Sequence, residues 1–192
     1  MTDKTIKKKS DKRLSLADLM AKGGGLNVQH WPESCGDFDI KIDVHGQWYY
    51  RNSPIGRIKL CQLFATCLQR DDEGRFWLIT PVEKGLVEVE DAPFVCVELE
   101  QGHDSRKGQW LRFRTSLDFW VEADDKHQIQ VKLAADKTPR PYIHVRDGLW
   151  ALITRSVFYQ LIDCGKIVMD KDGFEWMVVE SNGQIFDLSP IH

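Results

Sequence analysis

Three blocks of sequence recur in the same order in the two halves of the chain, and this self-similarity constrains the fold more than any single motif. Gly46-Gln47-Trp48 matches Gly148-Leu149-Trp150 at an offset of 102. Arg57 through Phe64 matches Arg155 through Ile162 at an offset of 98, so a four-residue indel lies before the helix. Glu73-Gly74-Arg75-Phe76-Trp77 then matches Asp172-Gly173-Phe174-Glu175-Trp176 at an offset of 99. Each copy reads as strand, turn, strand, helix and a hairpin with an acidic-Gly turn. The expected fold class is therefore α+β, two similar antiparallel sheet-plus-helix units produced by internal duplication.

Local patterns give this outline its elements. Phe38, Ile40, Ile42 and Val44 alternate with the period of a half-buried strand, and His45-Gly46 turns into a second strand at Trp48-Tyr49-Tyr50. Ser53 before Pro54 is a helix-start signal, and Leu60, Leu63, Phe64, Cys67 and Leu68 follow at helical spacing, predicting a helix from Pro54 to Leu68. Phe76 to Thr80 and Leu86 to Val89 read as an antiparallel pair. In the second half, Leu111 with Phe113, Phe119 to Val121, Ile129 to Leu133 and Tyr142 to Val145 read as strands. The units are placed at 29–98 and 99–192. Residues 1–28 read as a basic flexible tail and hinge: residues 1–13 hold six Lys/Arg against two Asp, and Gly23-Gly24-Gly25 follows.

Composition excludes several classes of function. With 42% apolar residues and seven Trp the chain has ample material for packed cores. No apolar run approaches the roughly 20 residues of a membrane-spanning helix, and no secretory h-region follows the basic N-terminus, so a cytoplasmic location is expected. A net charge of −3 with interleaved signs disfavours nucleic acid as a partner. The five Cys lack zinc or redox spacing and the six His are scattered, so neither a metal nor another cofactor is expected. Neither a Gly-x-Ser-x-Gly elbow nor a phosphate loop is present, and nothing in the sequence marks the chain as an enzyme.

What remains is the pair Arg57 and Arg155, which the repeat places at the start of each helix. A helix N-terminus offers unpaired N–H donors, and a guanidinium adds a fork suited to phosphate or carboxylate. The competing account pairs each Arg with Asp43, Glu83 or Asp147. Arg112, Arg114, Arg140 and Arg146 read as a solvated sheet face, and Trp48 and Trp150 as core.

Trp31-Pro32-Glu33, Cys35-Gly36-Asp37, Gly46-x-Trp48, Ser53-Pro54-Ile55 with Arg57, Leu63-Phe64, Thr80-Pro81-Val82-Glu83-Lys84, Glu90-Asp91-Ala92-Pro93-Phe94 and Pro141-Tyr142-Ile143-x-Val145-Arg146 together resemble a proteobacterial family of unknown function. The resemblance spans about residues 29 to 164, with His45 where an Asp is expected. It implies a duplicated two-domain architecture with a pleckstrin-homology-like second domain, and a groove between domains for a nucleotide-like ligand in signalling. Carried onto matching positions, the groove would use Arg57, Thr80, Glu83, Lys84 and Asp91 from the first unit and Arg146 and Arg155 from the second. The expected function is non-enzymatic binding of a small anionic or nucleotide-like ligand. A protein-interaction module of pleckstrin-homology type is the second expectation, and a hydrolase using Glu83 or Asp91 the third.

Overall fold

Strand β1 (Cys35–Ile42) follows from the alternation at Phe38, Ile40 and Ile42, which turns Ile40 and Ile42 into the core. The computed structural model describes residues 35–80, 83–106 and 108–191, so the basic tail and glycine hinge lie outside the described residues. After β1 come β2 (Trp48–Tyr50), β3 (Ser53–Pro54), α1 (Ile58–Cys67), β4 (Leu68–Arg70), β5 (Phe76–Ile79) and β6 (Lys84–Val89). They form a six-stranded sheet in the order β3-β2-β1-β6-β5-β4, with α1 packed against β5.

The helix begins later than its sequence suggests. Pro54 lies in an edge strand opposite Tyr49, where its missing N–H costs nothing, and the N–H of Ile55 goes to the Trp48 carbonyl at 2.8 Å. Arg57 becomes the N-cap, with extended backbone and no side-chain hydrogen bond to the helix. The β2–β3 hairpin, turning through Arg51 and Asn52 at φ 47° and 62°, occupies the stretch where the first repeat is longer than the second.

The second half continues with β7 (Phe94–Asp104), β8 (Gly108–Thr115), β9 (Trp120–Glu122), β10 (Ile129–Leu133), β11 (Pro139–Arg146), β12 (Leu149–Ile153), α2 (Arg155–Asp163), β13 (Lys166–Met169), β14 (Glu175–Ser181) and β15 (Gln184–Ile191). Strands β7 to β12 form a second six-stranded sheet in the order β10-β11-β12-β7-β8-β9, and β13-β14-β15 form a third. The boundary expected at 98/99 falls within β7, whose pairing with β8 runs from Cys96 to Asp104.

The purely antiparallel expectation needs correction. At the centre of the first sheet β1 pairs with β6 in parallel, and β12 pairs with β7 in parallel at the centre of the second. A parallel pair needs a long crossover, and in the first unit α1 lies within it. Cross-strand ion pairs from Arg112 to Glu100 and from Arg114 to Glu98 mark the solvated face of β7 and β8.

The two units share one core. Ile42, Trp48 and Leu68 from the first and Phe94, Leu111, Phe113, Ile153 and Leu161 from the second belong to a single buried cluster. The third sheet is fastened to the second by buried Ser181, whose hydroxyl accepts the Leu111 N–H at 2.9 Å and donates to the Ala123 carbonyl at 2.7 Å.

Candidate anion site between the units

The seven residues predicted to line a groove separate into several places. Arg57 and Arg155 are both exposed at helix starts, Arg57 at the N-cap of α1 and Arg155 one position further in, as the first residue of α2. The Arg155 guanidinium lies over its own Tyr159 and donates to that hydroxyl at 2.9 Å. Thr80 and Glu83 close the β5–β6 turn: the Thr80 N–H and hydroxyl donate to the Glu83 carbonyl at 2.9 and 3.0 Å. The Lys84 ammonium sits 3.8 Å from the centre of the Trp77 ring. Only Asp91 and Arg146 stand between the units, in different cavities.

Arg146 lines a cavity of about 350 Å³ whose wall is mostly Ala65, Phe94, Leu117, Phe119 and Val145. Its guanidinium donates to the carbonyls of Ala65 and Leu68 at 2.7 and 3.2 Å, at the C-terminal end of α1. A cation there joins the Leu68 N–H on the Ala65 carbonyl, reaches the Leu68 carbonyl just past the helix and meets the negative end of the helix dipole. The side chain thus ties β11 to α1, and the cavity it borders offers little else to an anion.

The second cavity between the units has different chemistry. It measures about 140 Å³ and is lined by Arg70 and Phe76 of the first unit, by Asp91 of the linker, and by Lys132, Tyr142 and Trp150 of the second, among others. Arg70 follows directly from α1 through β4 and lies over the Phe76 ring, and Lys132 lies over the Tyr142 ring. Neither has a carboxylate partner among the described residues. Asp91 is committed elsewhere: it pairs with the Arg140 guanidinium and accepts the Tyr142 hydroxyl at 2.8 Å. Burial first, then the Asp91 carboxylate, pushes the Tyr142 hydroxyl up. The hydrogen bond to Tyr142 and the Asp91 carboxylate push Arg140 up against the opposing effect of burial. The local balance is therefore positive.

Size narrows what this pocket takes. Cavities that enclose a drug-sized ligand run to roughly 300–1,000 Å³, so 140 Å³ accommodates a phosphate or carboxylate group with the rest of the ligand outside. Sequence reasoning missed Arg70 and Lys132. Arg70 opens an acidic turn, where a solvated charge is the ordinary expectation, and Lys132 alternates with apolar residues along β10. Among the described residues no cluster of His, Cys, Asp and Glu could hold a metal ion, and no helix is long and apolar enough to cross a membrane.

Two family models match the sequence: the N-terminal domain of DUF1285, a domain of unknown function, over residues 27–92, and the C-terminal domain of DUF1285, a protein of unknown function, over residues 93–188. The chain belongs to the DUF1285 family. The family read from the sequence motifs, one of unknown function with two domains, is the family found. The two DUF1285 domains meet at the Ala92-Pro93 linker beside the cavity just described, immediately before β7. A crystal structure of a DUF1285 family protein from Silicibacter pomeroyi DSS-3 is 38% identical, covers 90% of this chain and 95% of its own, and superposes with a TM-score of 0.75. Another, from Shewanella baltica OS155, is 31% identical, covers 65% of this chain and 90% of its own, with a TM-score of 0.52. No curated protein matches the chain.

Proposed function

We propose that this DUF1285 protein is a non-enzymatic binding protein that holds the anionic end of a small, nucleotide-like ligand in the cleft between its two units, in a signalling or sensor role. The observation that carries the reading is the pairing of Arg70 and Lys132, contributed by different units, around a phosphate-sized cavity beside a carboxylate already matched by Arg140. The half-buried aromatic wall of Phe76 and Trp150 would take the planar part of the ligand by stacking. Because the two cations come from separate units, an anion between them would draw the units together. The reading includes internal duplication, supported by the matching hairpins of the two halves, and a pleckstrin-homology-like second unit, supported by its two antiparallel meanders, β7-β8-β9 and β10-β11-β12.

The test is calorimetric titration with pyrophosphate and with a nucleoside monophosphate, read in parallel by tryptophan fluorescence, since Trp150 lines the pocket. Arg70→Met and Lys132→Met should each weaken binding tenfold or more, and Arg57→Met with Arg155→Met should leave it unchanged. Equal binding by all variants would sink the proposal.

A second reading, a protein-interaction module of pleckstrin-homology type, is favoured by the uncovered outer strand of the third sheet.

A further inference from the structure

Strands β4 and β13 occupy matching positions in the two halves, each the outer strand of its sheet and each leading into an acidic-Gly turn. They differ in what covers them. At β4, Leu68 is fully buried and its carbonyl accepts Arg146 of the second unit, and the neighbouring positions are the charged Arg70 and Arg75. Ninety-nine residues on, the corresponding side chains are Ile167, Met169 and Phe174, which are 56%, 69% and 65% exposed. No described strand pairs with the outer side of β13. An open edge bearing apolar side chains is a template for another strand.

The direction of the free backbone groups is fixed by the turn. Asp170 donates its N–H to the Phe174 carbonyl at 2.8 Å, toward β14. Strand residues alternate, so Lys166 and Val168 also turn their backbone groups inward, and Ile167 and Met169 turn theirs outward.

We propose that β13 pairs antiparallel with β13 of a second copy of this chain, about a two-fold axis at Val168. In that register Ile167 stands opposite Met169 of the other copy, and each such pair exchanges both outward hydrogen bonds. The four side chains gather on one face as an apolar cluster. On the opposite face Lys166, which reaches Glu180 of its own chain at 3.2 Å, stands opposite Asp170 of the other copy, twice, so the edge is complementary to itself in charge. Self-complementarity of this kind is what a two-fold interface demands and what a foreign strand would have to imitate. The contact is short, at the low end of specific interfaces, so the dimer is weak and depends on concentration. Because β13 lines neither cavity between the units, this inference stands apart from the anion site.

Sedimentation velocity of the full chain from micromolar to near-millimolar concentration should show a monomer–dimer equilibrium. Met169→Arg with Phe174→Arg, which installs the residue types found at the matching positions of the first half, should shift the dissociation constant up at least tenfold with an unchanged circular dichroism spectrum. Val168→Cys should form a disulfide-linked dimer on mild oxidation that the wild-type chain does not form, because directly opposed residues without mutual hydrogen bonds bring their Cβ atoms close. This second measurement decides the matter even if the double variant folds poorly. A wild-type chain that stays monomeric overturns the proposal and leaves the edge to residues 1–34 or to another protein. A dimer that persists in the double variant, or a Val168→Cys chain that does not cross-link, overturns it equally.

Discussion

Asp71 accepts the indole N–H of Trp77 at 2.9 Å, and at the matching place in the second half Asp170 accepts that of Trp176 at 3.0 Å. The agreement extends through both turns. The Arg75 and Phe174 N–H groups each donate to the same Asp side chain at 2.8 Å, and Gly74 and Gly173 adopt φ of 85° and 84°. In each turn one carboxylate thus organises the hairpin by accepting from the backbone and from a Trp four residues beyond the apex.

Removing the indole donor should uncouple the turn from the strand. Trp77→Phe is expected to destabilise the protein by about 1.5–3 kcal/mol, the scale of a hydrogen bond to a charged acceptor. Trp176 is less buried than Trp77, so Trp176→Phe should cost less. Urea unfolding of both variants gives the comparison.

The same carboxylates set an acid limit. Burial works to raise Asp71, but hydrogen bonds from Trp77 and Arg75 outweigh it and hold the group well below the usual carboxylate range. For Asp170 the Phe174 N–H is the largest influence, and burial opposes it. Both groups are depressed on folding, so their contribution is complete above the unfolded value near 3.8 and is lost as pH falls from there toward the folded values. The melting temperature should be flat with respect to these groups from pH 5 to 7 and fall below about pH 4. Asp170→Asn should flatten part of that slope.

Arg146 should matter to stability more than to ligand binding. Arg146→Met leaves the Ala65 and Leu68 carbonyls without their charged donor, with an expected cost of about 1–3 kcal/mol. Denaturant titration should show a lower midpoint with an unchanged m-value, and pyrophosphate affinity should be unaffected.

Gly165, between α2 and β13, has no room for a methyl group: a Cβ there would lie 2.8 Å from the Val178 carbonyl oxygen and 3.1 Å from that of Ile162. Backbone cannot swing aside as a side-chain tip can, so Gly165→Ala should cost about 1–3 kcal/mol. Gly36→Ala, with nothing within 4 Å, is the matched control. Thermal melts of the two variants make the comparison.

Local signals in the sequence located most elements because they are written in residue spacing. The β5–β6 pair and the acidic-Gly turns follow from periodicity and turn chemistry that involve near neighbours, and the second helix follows from the repeat match of Arg155–Ile162 to the first. The start of α1 was misread because Ser53-Pro54 carries the same signal at a helix entrance and on a sheet edge, and the partner that decides, Tyr49, acts through strand pairing. The parallel contacts of β1 with β6 and β7 with β12 were hidden for a related reason, since register across a crossover leaves no local mark. Of the groove residues, Asp91, which lines the cavity, was named through the family resemblance and not through any local signal. Arg70 and Lys132 come together only through packing between units, and no spacing along the chain announces it.

The reach of Arg146 back to Leu68, 78 residues earlier, has a consequence for biosynthesis. A ribosome polymerises all of the N-terminal family domain before it adds the guanidinium that meets the end of α1. Until then that domain emerges with an exposed seam, and cellular folding factors have an interval in which to engage it.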